Sequence, residues 1–171
     1  MLMKTHPVMR ALTPADMADV ARLHDRVFGP GRFARTAYRV REGRPSKGVP
    51  LSAYCRCVVQ GARMIGALSL TEIKIGGSKG ALLLGPIVVD QEFAGQGYGR
   101  GMIADAMEAA RRGGARLVVL VGDAPYYRPL GFQVIPAGQI VLPGPVNPAR
   151  LLAAELQPGA LAEYRGLIGG R

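Results

Sequence analysis

Residues 85–101 read G-P-I-V-V-D-Q-E-F-A-G-Q-G-Y-G-R-G, and they narrow the fold more than any other stretch. An apolar run enters a loop with glycines at 95, 97, 99 and 101, and helical spacing begins at once. Glycines this dense before a helix let backbone N–H groups crowd around an anion, helped by the positive end of the helix. The stretch therefore reads as a phosphate or pyrophosphate cradle, with a ligand-free strand–helix turn as the alternative. Two common cradles are excluded by spacing. The phosphate loop of nucleotide triphosphatases ends in G-K-[ST], and no lysine follows Lys79. The dinucleotide pattern G-x-G-x-x-G fails because its last position falls on Arg100 or Met102.

The rest of the chain reads as elements around that loop. Val8 to Leu12 is a short strand. Thr13-Pro14-Ala15-Asp16 announces a helix, with Thr as N-cap, Pro at the first helical position and Asp three residues after the cap. Met17, Val20, Ala21, Leu23, Val27 and Phe28 supply one helical face, and Gly29-Pro30-Gly31 stops it. Residues 32–41 form a poorer second helix and 43–50 a polar loop. Ala53–Gln60 and Met64–Ile75 flank the turn Gly61-Ala62-Arg63 as an antiparallel hairpin. Ala81–Val89 reads as a strand buried on both faces, which Pro86, lacking an N–H, must break or bulge.

Tyr98–Arg112 keeps helical spacing up to Gly113-Gly114. Leu117–Val121 is a buried strand, parallel to Ala81–Val89 by the crossover rule. Ala124–Leu130 is a short helix. Phe132–Ile135 and Gln139–Leu142 are expected to pair as a terminal hairpin, and Pro148–Glu155 and the region of Ala160–Ile168 to be helical. The order is mixed α/β in one domain over residues 1–171.

Composition supports this reading. At 49% hydrophobic, 171 residues can bury a core without disulfides. The two cysteines, Cys55 and Cys57, cannot complete a tetrahedral metal site and read as buried thiols. The N-terminus lacks a secretory signal pattern, and no run reaches the ~18 apolar residues of a membrane span. A cytoplasmic protein without a membrane partner is expected. The pI of 10.3 suggests an anionic partner without naming one.

Ala94-Gly95-Gln96-Gly97-Tyr98-Gly99 resembles motif A of the GNAT superfamily of acyl-CoA N-acyltransferases, [QR]-x-x-G-x-[GA], with alanine in place of the first Gln or Arg. Downstream, G-D-A-P-Y-Y-R-P-L-G-F over residues 122–132 is similar to the family's motif B, in the form of its bacterial YhbS-like branch. The resemblance is clear over roughly residues 60–135 and diffuse outside them. It implies a mixed sheet, largely antiparallel, with a splayed parallel strand pair and flanking helices. It also implies acetyl-CoA as cosubstrate, with no metal. The pyrophosphate is expected against Gln96, Gly97, Tyr98, Gly99, Arg100 and Gly101. The pantetheine amides are expected along the backbone of Ile87, Val88 and Val89, as a peptide adds to a sheet edge. Ala94 removes one polar side chain from this cradle but no backbone donor.

The same resemblance gives Tyr127 the role of general acid that protonates the departing sulfur, with core packing as the alternative. Tyr126 reads as packing. The glutamate that some members carry on the strand before motif A is replaced by Leu83. Asp123 is the best substitute base and Glu72 the second, while Asp123 could instead cap the short helix through the N–H groups of residues 125–126. Solvent water is a further proton acceptor. His24 reads as a surface or core histidine.

Direct attack of the acceptor amine on the thioester is expected, since neither cysteine lies in a motif. Two rivals remain: an acyl-CoA-binding regulator without turnover, and a nucleic-acid-binding module. The second ranks last, because aromatics are only 6% of the chain and no RNA-binding aromatic motif occurs. Residues 1–60 hold 11 basic and 4 acidic residues. The excess is densest where Arg32, Arg35, Arg39, Arg41, Arg44 and Lys47 face only Glu42. An acceptor carrying negative charge beyond its amine is therefore expected: a phosphorylated metabolite, an acidic peptide or an aminoacyl-tRNA. A solvated basic face is the alternative. The oligomeric state stays open, a homodimer included.

Overall fold

The computed structural model describes residues 5–29 and 51–170. The second helix and polar loop expected over 32–50, with their basic cluster, lie outside the described residues.

The strands are β1 (Val8–Ala11), β2 (Arg56–Gln60), β3 (Arg63–Ile75), β4 (Ser78–Val89), β5 (Leu117–Val121), β6 (Gln133–Val134), β7 (Ile140–Val141), β8 (Leu151–Glu155) and β9 (Gly166–Gly170). The helices are α1 (Met17–Phe28), α2 (Tyr98–Arg112) and the single turn α3 (Ala124–Tyr127), extended by a 3-10 turn over Arg128–Leu130. The sheet runs β1-β2-β3-β4-β5-β8-β6, and β9 pairs with both β3 and β7. Neighbours along this path are antiparallel except β4 and β5, which are parallel, as the helical crossover through α2 demands. This is the mixed, largely antiparallel sheet with a central parallel pair that the resemblance implied.

The two faces explain the helices. Val20 and Leu23 of α1 bury against Cys57, Ala67 and Val88. On the opposite face, Met102, Ile103, Ala106 and Ala110 of α2 cover Val58, Ile65, Leu68, Leu82 and Leu84. These are the i, i+3 and i, i+4 stripes of the sequence. The start of α1 is fixed by Asp16, which accepts the Thr13 N–H at 2.7 Å and both terminal nitrogens of Arg10 at 2.8 Å. The Arg10 hydrogen bonds first, and the Thr13 N–H after them, hold the Asp16 carboxyl well below the usual carboxylate range.

The C-terminal region departs from the sequence reading. Residues 132–135 and 139–142 do not form a hairpin: β6 pairs with β8, and β7 pairs in parallel with β9. Pro148–Arg150 is one 3-10 turn, and the helix expected over Pro148–Glu155 is instead β8. Its L-L-A-A-E sequence favours a helix locally. The slot beside β5 overrides this, because Leu151, Leu152, Ala153 and Ala154 are buried on both faces and register against residues 118–121. Likewise Ala160–Glu163 is a 3-10 turn, and Gly166–Gly170 forms β9 where a helix was expected.

Candidate active site

The site begins where β4 leaves β5. The two strands register only over Ala81–Leu83 with Leu117–Val119. Beyond Leu84 the β3–β4 register shifts, at Gly85 with φ +127° and Pro86 with no N–H to give. This is the irregularity the sequence predicted. Ile87, Val88 and Val89 still pair with Leu68, Ala67 and Gly66 of β3 on one side, and among the described residues no strand pairs with them on the other. A stretch of backbone edge therefore opens inside the sheet.

The glycine loop meets this edge. Gly97, at φ +89°, caps α2, and the first helical bond runs from the Gly101 N–H to the Gly97 carbonyl at 2.9 Å. The N–H groups of residues 95–100 donate to no protein acceptor among the described residues. They form a row of free donors at the positive end of a 15-residue helix. A Cβ at Gly99 would sit 3.7 Å from Ile87 Cδ1, 3.8 Å from Val89 Cγ2 and 3.4 Å from the Tyr126 hydroxyl. The first turn of α2, the end of β4 and α3 thus converge on one point.

An ionic anchor that the sequence reading did not single out holds the loop. Buried Asp90 accepts the Glu92 N–H at 3.1 Å, Arg63 at 3.0 Å and Arg26 at 3.0 Å. Arg63 also lies over the Phe93 ring at 5.4 Å and bonds Glu92. Burial alone would push the Asp90 carboxyl up, but the Glu92 N–H and the two guanidinium groups outweigh it and hold the carboxyl below its ordinary value. Asp90→Asn is expected to lower stability by about 2 kcal/mol at neutral pH. A depressed carboxyl supplies its stability above its unfolded value, so this difference should erode below about pH 4. Urea titrations of both proteins across that range check it.

On the far wall, Tyr127 is half-buried, edge-on to Phe132 at 5.7 Å and to Tyr126 at 4.8 Å. Its ring lies so close to Gly122 that a Cβ there would sit 2.5 Å from it. That packing gives the glycine of the G-D-x-x-Y-Y run a purpose the sequence did not disclose. Burial, then the neighbouring Tyr126 and Asp123, push the Tyr127 hydroxyl above its ordinary value, so it stays protonated at neutral pH. Asp123 lies two residues beyond β5, its side chain 77% exposed and 3.5 Å from Arg150. It does not cap α3 by its side chain; its carbonyl accepts the Tyr126 and Tyr127 N–H groups instead.

Other candidates fall away from this point. Glu72 lines a cavity of about 350 Å³ with Tyr54, Lys74, Lys79 and Gly113, at the far end of α2. A helix of that length separates it from the free amides by roughly 20 Å. His24 is buried in α1 beside Phe28, and Leu83 is fully buried. Cys55 and Cys57 are buried thiols, and burial pushes Cys57 up, away from thiolate. Among the described residues, no helix is long and apolar enough to cross a membrane.

This arrangement, a parted parallel strand pair with a glycine-capped helix at its mouth, defines an acyltransferase fold. The acetyltransferase (GNAT) domain family matches residues 8–135, and the chain belongs to it. Among solved structures, the GNAT family N-acetyltransferase YhbS from Escherichia coli in complex with CoA is similar at a TM-score of 0.82 and 20% identity, over 100% of this chain and 93% of that one. A GNAT family acetyltransferase from Brucella melitensis in complex with acetyl-CoA is similar at 0.62 and 23% identity, over 91% and 98%. The ribosomal-protein-S18-alanine N-acetyltransferase from Escherichia coli is similar at 0.60 and 16%, over 89% and 95%. At these identities the likeness is one of fold. No curated protein matches the sequence.

Proposed function

We propose that this GNAT-family acyltransferase moves an acetyl group from acetyl-CoA to a primary amine by direct transfer. One observation carries the reading: six backbone N–H groups, at residues 95–100, and the edge of β4 beside them are without a partner among the described residues. The row suits a pyrophosphate, and the edge at Ile87–Val89 suits the two amides of a pantetheine arm. Two similar structures, from Escherichia coli and Brucella melitensis, are complexes with CoA and acetyl-CoA, which supports the same ligand here.

In this scheme the neutral amine attacks the thioester carbonyl. The C–N bond forms and the C–S bond breaks. Tyr127 gives its proton to the leaving sulfur and recovers one from solvent. The amine's proton passes to Asp123 or to water, and the exposure of Asp123 allows either.

A second reading, acyl-CoA binding without turnover, is favoured by buried Leu83 where some members of the family carry glutamate. One experiment separates the two. Thiol release from acetyl-CoA is followed against pooled small amines, peptides and aminoacyl-tRNA, beside calorimetric titration with CoA. Binding with amine-dependent release supports transfer. Binding without release from any pool supports the second reading, and no binding overturns both.

The acceptor proposed is anionic beyond its amine, because of the basic residues between Arg32 and Lys47. Arg35→Ala and Arg39→Ala are expected to raise the acceptor's KM, more at low salt, and to leave that of acetyl-CoA alone. Acceptor kinetics unchanged at low ionic strength would remove the cluster from recognition.

A further inference from the structure

Tyr126, read from the sequence as packing, is the tyrosine that faces the glycine loop. Its hydroxyl oxygen lies 3.4 Å from the point where a Cβ on Gly99 would sit, against the first turn of α2. Tyr126 is 39% exposed, in contrast to the half-buried Tyr127 packed on the core. The Arg100 guanidinium lies over that ring, 5.0 Å from its centroid, and joins α2 to α3 across the mouth of the slot. Among the described residues nothing hydrogen-bonds to the Tyr126 hydroxyl. A tyrosine used only for packing has no need to place its polar end against the first turn of α2, and phenylalanine would serve as well.

We infer that Tyr126 is a phosphate-binding residue: its hydroxyl donates to a pyrophosphate oxygen held on the amides of residues 95–100, and its ring carries Arg100 as the accompanying positive charge. The inference rests on the reading of the slot as a coenzyme A site. It also accounts for Ala94, where the motif loses its polar side chain. The missing arm on the loop is replaced by an arm from the opposite wall. A hydroxyl donating to an ionised oxygen makes a charge-assisted bond, stronger than a neutral one. Arg100 adds attraction that salt weakens.

Calorimetric titration with CoA tests this on the full chain, comparing the unsubstituted protein with Tyr126→Phe, Tyr127→Phe and Arg100→Met, with the thermal midpoint recorded for each. Phenylalanine at 126 keeps the ring under Arg100 and removes only the hydroxyl. The expected result is CoA binding about tenfold weaker for Tyr126→Phe, the loss of one bond to a charged group. Its thermal midpoint should not change, and Tyr127→Phe should bind as the unsubstituted protein does. Arg100→Met should weaken binding and flatten its salt dependence. Affinity of Tyr126→Phe within twofold of the unsubstituted protein overturns the inference. So does an equal loss in Tyr127→Phe, or a loss that comes with a lowered midpoint, because either marks packing. Failure of the unsubstituted protein to bind CoA overturns the reading of the slot itself, and this inference with it.

Discussion

Tyr127→Phe is expected to lower turnover by about 10²-fold, the lower end of a general-acid contribution, while CoA affinity stays unchanged. The substitution keeps the ring on Phe132 and against Gly122, so the packing that holds α3 survives it. Only the hydroxyl proton is lost. Because burial raises the Tyr127 value, that proton remains in place through neutral pH and is removed only above the ordinary tyrosine range. Turnover in the unsubstituted protein should therefore fall on an alkaline limb that the Phe variant lacks. The check is a pH–rate profile of both proteins at saturating acetyl-CoA. A Phe variant with full turnover would leave Tyr127 as packing, and the thiolate would take its proton from water.

Gly97→Val is expected to abolish measurable CoA binding in a protein that still folds. The cause is conformation and not collision. A Cβ at Gly97 would meet nothing within 4 Å, but the residue sits at φ +89°, a region that a β-branched side chain strongly resists. Relieving that strain swings the N-cap of α2 into another conformation and scatters the amide row. The local cost is about 1–3 kcal/mol, small beside the loss of several aligned donors. Calorimetry for CoA and far-ultraviolet circular dichroism for the fold are the measurements. Retained affinity would place the pyrophosphate elsewhere.

The centre of the molecule was legible because local chemistry and tertiary packing agree there. Tyr98–Arg112 and Leu117–Val121 carry strong periodicity between glycine stops, and their bounds are those read from the sequence. Pro86 announced the break in β4 because a missing donor has no remedy within a ladder. The C-terminal strands were not legible. The sequence L-L-A-A-E is a good helix, and only the vacancy beside β5 makes it a strand. The site divides in the same way. Its glycines declare a backbone need that no other residue meets. Asp90, Arg26 and Arg63 are far apart in sequence, and only the fold brings them together. The two tyrosines are adjacent, so the choice between them depends on how a single turn of helix is rotated, which spacing does not encode.

The place of β8 bears on how the chain assembles. The recognisable family region ends at residue 135, yet β8, at residues 151–155, lies between β5 and β6 in the sheet. During synthesis, β5 therefore emerges with one edge bare and waits some thirty residues for its neighbour. β6 has nothing to join until β8 arrives. Bare apolar strand edges recruit other chains. A fragment cut at the limit of family similarity would thus keep the glycine loop and both tyrosines, yet expose the apolar edge of β5 to every other copy in solution.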